Sequence, residues 1–204
     1  MRSGIQWIKI QLKDRKFCTL IAAGGVTAIL LSMEFFLFSY SILKIFRYLV
    51  LICAMFIIAW IDQHEKRIPN RFLLLLLGTR AVILIVEWAA VPSVGMSLLI
   101  SSVLGLLLGG GLFLIAYFIS RGGVGMGDVK LFAVIGTYVG GGSIMGLVFL
   151  TVLVSALYSI VMLIRKKIKL KEEIPFAPFA LVGTILTIPI NQLYRYFLKL
   201  PDKL

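Results

Sequence analysis

Arg121 to Gly136 read RGGVGMGDVKLFAVIG, a segment set between a long apolar run and a short one. Gly122, Gly123, Gly125 and Gly127 precede a single aspartate, Asp128, and Lys130 follows it. A carboxylate at the edge of a membrane span is costly unless it is paired, hydrated or put to use. The glycines leave bare backbone that a bound chain can approach closely. Asp128 then opens a helix, where the dipole favours its charge. Taken alone, the segment also reads as a flexible loop with a capping aspartate, or as a phosphate cradle, although no G-x-x-x-x-G-K-[ST] run is present.

The surroundings establish the membrane setting. Of 204 residues, 60% are hydrophobic and 15% charged, and the mean hydropathy is +1.04. A soluble domain of this size has too much surface to wet to be so apolar. The composition is that of an all-α, polytopic membrane protein. Seven apolar stretches, 17–40, 45–61, 71–91, 94–120, 128–139, 142–164 and 175–197, predict about six to seven transmembrane helices. A span takes about 20 residues, so the fifth stretch reads as a half-helix, a tilted span or an interfacial segment. No cleavable signal peptide is expected, because the basic start runs into apolar sequence without a small-residue cleavage site.

The net charge is +12, but the basic residues cluster between apolar stretches, where lipid headgroups and topology account for them. Nucleic acid is therefore not an expected partner; the lipid bilayer is. Cys18 and Cys53 lie in separate apolar stretches without a C-x-x-C pair, so neither a zinc site nor a disulfide framework is expected. No metal or other cofactor is implied.

Arg2, Lys9, Lys13, Arg15 and Lys16 precede the first stretch, which predicts a cytoplasmic N-terminus. Counting spans from there puts Lys66, Arg67 and Arg71, then Arg121 and Lys130, then Arg165, Lys166, Lys167, Lys169 and Lys171 inside. Lys44, Arg47, Arg195, Lys199 and Lys203 fall outside, and Arg80 falls mid-span. On this topology Asp62, ending the second stretch, and Asp128, opening the fifth, share the cytoplasmic boundary.

Around Asp62 the chain reads AWIDQHEKRIPNRF, from Ala59 to Phe72. Acid at a helix C-terminus opposes the macrodipole, so Asp62 is not placed there for helix stability. Pro69 restricts the loop, and Asn70 is a candidate cap for the next helix. Two facing carboxylates can share one proton, giving an acid and a base at one pH. The ionised member can activate water and the protonated one can hydrogen-bond a developing oxyanion. The single histidine, His64, reads as solvated, and Lys130 as a positive anchor at the headgroups.

At these residues the sequence resembles the type IV prepilin peptidases, bacterial members of the G-x-G-D intramembrane aspartyl proteases. Gly125-Met126-Gly127-Asp128 matches the name motif and continues through Val129-Lys130-Leu131. IDQHEKRIPN, Ile61 to Asn70, resembles the family's other aspartate segment. IPFAPFALVG, Ile174 to Gly183, resembles its Pro-Phe-Gly-Pro-Phe segment, with Ala177 where glycine is usual. The resemblance implies an endopeptidase of the bacterial cytoplasmic membrane that removes short basic leaders from single-span prepilins or pseudopilins, cutting after glycine. It carries Asp62 and Asp128 over as the catalytic pair. Gly125, Gly127, Lys130, Pro69, Asn70, Pro175, Phe176 and Pro178 become candidate substrate-binding residues. The family's bifunctional members bear a cytoplasmic insertion with C-x-x-C pairs and also N-methylate the product. Without such pairs, this chain resembles the peptidase-only form. The implied organisation is a basic tail and extra span over 1–43, a catalytic core over 44–198 and a tail over 199–204.

Two other functions stay open on sequence. Arg80 and Glu87 lie two turns apart on one helical face, and Glu34 lies in the first stretch; such residues can line a transport path, though a buried structural pair is the simpler reading. A catalytically inactive pilus or secretion scaffold is the other.

Overall fold

The structure, a computed structural model, describes residues 41–120, 123–165 and 174–197, the side chains of 192–196 excepted. The chain divides into two compact units, Met1–Ser39 and Tyr40–Leu204, and every described residue belongs to the second. The first apolar stretch with Cys18 and Glu34, the Arg121-Gly122 pair and the basic run 166–173 lie outside the described residues.

Among the described residues all regular structure is helical: α1 (Ile42–Glu65), α2 (Asn70–Ala90), α3 (Pro92–Ile119), α4 (Met126–Val139), α5 (Gly141–Ile164) and α6 (Ala177–Phe197). Each corresponds to one apolar stretch of the sequence. Four of them, α1, α2, α3 and α5, are long and apolar enough to cross a membrane. Their outward faces carry large apolar residues such as Leu74, Ile85, Ile115 and Phe149, as lipid contact requires. This is a multi-pass membrane protein.

Local chemistry sets the breaks between helices. Pro92 opens α3 at a position where its missing N–H costs nothing. Gly140 joins α4 to α5 at φ +85°, a backbone angle that side chains resist. Lys66 ends α1 in the left-handed region, its N–H donating to Asp62 O at 2.9 Å.

The fifth stretch resolves into the shortest helix and the most deeply buried one. With 14 residues, α4 is about 21 Å long, less than the ~30 Å hydrocarbon core. Every residue of α4 from Leu131 to Val139 except Ala133 is buried. Its closest neighbour is α3, and glycines allow that approach: a methyl at Gly136 would collide with the Gly105 carbonyl, and one at Gly109 with the Phe132 carbonyl. Helix–helix association in lipid depends on close approach of this kind. The helix carrying Asp128 is thus held inside the bundle.

A second buried feature ties the other end. Glu87 accepts from Arg47 Nη1 at 2.9 Å and from Arg80 Nη1 at 2.8 Å. Arg80 also donates to Thr137 O and Ser102 Oγ, each at 2.8 Å. One guanidinium therefore joins α2, α3 and α4, and Glu87 adds α1. Arg80 and Glu87 form the structural pair expected. Arg47, counted on sequence with the outside charges, is a buried α1 side chain, drawn in by a carboxylate that needs two partners. Arg47 precedes Asp62 by fifteen residues, about 22 Å of helix, so the cluster and the aspartates occupy opposite ends of α1.

Candidate active site

Asp62 lies in the last turn of α1 and is buried. Its Oδ2 accepts the backbone N–H of Ala177 at 2.9 Å, and the Phe176 amide also donates to this carboxylate. Ala177 is the first residue of α6, so the acid that is misplaced against its own helix dipole sits at the N-terminus of another. The orphan amides of a helix start are ready receptors for a carboxylate.

Asp128 lies in the first turn of α4, its N–H bonded to Gly125 O at 3.0 Å. The Gly125 amide donates to its carboxylate in return. Burial is the largest influence on this group and the negative charge of Asp62 the second; against the Gly125 bond, they push its pKa up from 3.8 to about 6. Desolvation and a like charge both disfavour the ionised form.

The two acids line one cavity of about 360 Å³. Asp62, Lys66, Arg67, Ile68 and Asn70 form one side; Gly125, Met126, Gly127, Asp128 and Lys130 form the other. Both glycines of the G-x-G-D run have a spatial reason. A Cβ at Gly125 would lie 3.1 Å from Asp128 Oδ2, and one at Gly127 would lie 3.2 Å from Ile68 Cβ. The first glycine leaves room for the carboxylate, and the second lets the two aspartate segments meet.

Of the candidate residues, the structure brings together Asp62, Asp128, Gly125, Gly127, Lys130 and Asn70 around the cavity. Asn70 does not cap α2. Pro69 holds the cap position, its carbonyl accepting from Phe72 and Leu73, with no side-chain cap bond. Asn70 is one residue too late and turns instead to Lys130, whose Nζ donates to Asn70 Oδ1 at 3.1 Å. Pro69, Pro175, Phe176 and Pro178 are not among the cavity-lining residues. Phe176 packs against Phe113, Phe132 and Phe179, with ring centroids 5.7, 5.9 and 6.4 Å away. His64 is exposed, with Nδ1 2.9 Å from Trp60 O.

Sequence reasoning missed the amides of Phe176 and Ala177 as partners of Asp62, and Lys66, Arg67 and Ile68 as cavity walls.

The family model described as "Type IV leader peptidase family" matches residues 49–160, more than half of the chain. The chain is 36% identical over 169 residues to the "Prepilin leader peptidase/N-methyltransferase" of Bacillus subtilis (strain 168). That match covers 81% of this chain and 63% of the relative, so the chain spans less than two thirds of that protein's length. No solved structure is significantly similar to it. The matched region contains α1 from its first turns through most of α5, both aspartates included, and the chain belongs to the type IV leader peptidase family.

Proposed function

We propose that this protein is an intramembrane aspartic endopeptidase acting on single-span prepilins or pseudopilins. The observation that carries the reading is the shared cavity: two carboxylates 66 residues apart in sequence line it together and repel each other. Below about pH 6 such a pair holds one proton between its members, and the titration belongs to the pair.

The environments favour a division of roles. Burial disfavours the charge on Asp62, and two amides at the start of α6 offset part of that cost. Asp128, pushed up to about 6, is the more readily protonated. The Asp62 carboxylate takes a proton from water as the water oxygen bonds to the scissile carbonyl carbon. Asp128 gives its proton to the carbonyl oxygen, leaving a tetrahedral diol. On collapse the C–N bond breaks, Asp62 returns its proton to the leaving nitrogen, and Asp128 recovers one from a diol hydroxyl. Acid–base catalysis of this kind needs both groups within hydrogen-bond reach of the substrate.

The wider proposal follows the family resemblance. The active face is cytoplasmic, in a bacterial cytoplasmic membrane, with the N-terminus on the same side, and residues 44–198 form the catalytic core. The cut follows a glycine at the junction of a basic leader and an apolar helix. Glycine there weakens the substrate helix by about 1 kcal/mol relative to alanine, freeing the peptide bond for attack. The trimmed end is not methylated.

The test is a purified protein incubated with a single-span peptide carrying a basic leader and a glycine junction. Mass spectrometry is expected to find two fragments that meet after the glycine, with no 14 Da increment when S-adenosylmethionine is supplied. An intact peptide, or scattered cuts along the leader, overturns the reading.

A further inference from the structure

We infer that Lys130 and Asn70 are positioning residues: their hydrogen bond latches the start of α2 to the start of α4 and so sets the separation of the two carboxylates. The inference rests on the proposed protease reading for its catalytic consequence, but the latch itself is a matter of geometry.

The two acids belong to different parts of the bundle. Asp62 is fixed to the start of α6 through Ala177. Asp128 is fixed within the G-x-G-D turn, on a helix packed chiefly against α3. Their spacing depends on what crosses between the two segments at this end. One crossing is the packing of Ile68 on Gly127, a contact without direction. Another is the exposed bond from Lys130 Nζ to Asn70 Oδ1 at 3.1 Å.

The remaining polar ties along the α2–α4 seam, among the described residues, lie far down it. Tyr138 donates to Leu76 O at 2.8 Å and meets Thr79 Oγ1 at 2.7 Å, and Arg80 Nε donates to Thr137 O at 2.8 Å. Asn70 to Thr79 is nine residues, and Lys130 to Tyr138 is eight. At 1.5 Å per residue these are about 13 and 12 Å. The helices therefore run parallel from one shared end, tied by several polar bonds at depth and, at the exposed mouth, by this one hydrogen bond beside the Ile68–Gly127 contact. A lever of that length turns a small change at the depth into a larger one at the acids, unless the mouth is also held.

This reading gives Lys130 a task other than substrate contact, and Asn70 a task other than capping. Lys130 donates three ways, so a single acceptor leaves it donors toward water. Loss of either partner should then have the same effect, which a lone charge or a substrate contact would not produce.

Nitroxide labels at Arg71→Cys and Met126→Cys, in a background with Cys18 and Cys53 replaced, report the mouth without any turnover. Lys130→Met and Asn70→Leu are each expected to broaden the interspin distance distribution to the same degree, and the double variant no further. The exchanged pair, Lys130→Asn with Asn70→Lys, is expected to restore the native width. On cleavage, each single variant should lose roughly ten- to a hundredfold in kcat with KM little changed, as for misplaced catalytic groups, and the exchange should recover most of it. An unchanged distribution, additive losses, or an effect of the lysine alone overturns the latch. If the unmodified protein cleaves no prepilin-type peptide, the protease reading falls and the distance measurement alone decides the latch.

Discussion

Replacing Asp128 with asparagine should abolish turnover and make the protein more stable at neutral pH. The carboxyl is pushed up from 3.8 to about 6 by burial and by Asp62. A group raised in this way binds its proton more tightly in the folded chain than in the unfolded one. Its contribution is fully present below 3.8 and is lost as the pH rises through about 6. At pH 7.5 the native protein carries the unfavourable charge and Asp128→Asn does not. A rise of about two units, at about 1.4 kcal/mol each, bounds the gain near 3 kcal/mol. Partial exposure to the cavity and the lost charge–dipole attraction at the start of α4 reduce it to about 1 to 2 kcal/mol. For a chain of this size that is a rise in Tm of about 2 to 8 °C. Thermal unfolding in detergent, followed by tryptophan fluorescence at pH 7.5 and again at pH 4, measures both sign and window. The gain should be present at the higher pH and absent at the lower. A lower Tm at pH 7.5, as expected of a simple capping aspartate, or the same gain at both pH values, would refute the reasoning.

Gly136→Ala should destabilise by about 3 kcal/mol, the upper end for overpacking, because its methyl meets the Gly105 backbone and no rotamer can relieve it. Gly78→Ala, with nothing within 4 Å of its Cβ, should instead be neutral or stabilise by up to about 1 kcal/mol; detergent melts of the two variants should separate by sign. Glu87→Gln removes the carboxylate shared by Arg47 and Arg80 and should cost about 3 to 5 kcal/mol, seen as loss of monodisperse protein on extraction. Single cysteines at Arg67 and Met126 should both react with an impermeant maleimide from the cytoplasmic side only, and reaction from opposite sides would separate the two acids.

Hydropathy alone located every described helix, because each apolar stretch is bounded by charged residues, proline or glycine. Asp62 and Asp128 were legible for a related reason: an isolated acid at the end of an apolar run has few uses. What sequence could not supply was partnership across the chain. Nothing near Ala177 announces that its amide faces a carboxylate 115 residues away. The burial of Arg47 was hidden for the same reason, since a basic residue near the end of a stretch reads as a headgroup anchor until its acceptor is known. Asn70 satisfied the composition of a cap but missed its position by one residue, a difference that only the backbone around Pro69 decides. The fifth stretch was ambiguous by length, and its outcome was fixed by how tightly α3 packs against it through Gly105 and Gly136.

The central claim is that Asp62 and Asp128 act as one unit on a peptide bond. Its most direct measurement compares purified protein with Asp62→Asn and Asp128→Asn on a glycine-junction, single-span peptide, each variant first shown to be folded by its melt. The unmodified protein is expected to release the leader, and both variants to release none above the background of peptide alone. Release by either variant at a rate near that of the unmodified protein would contradict the account.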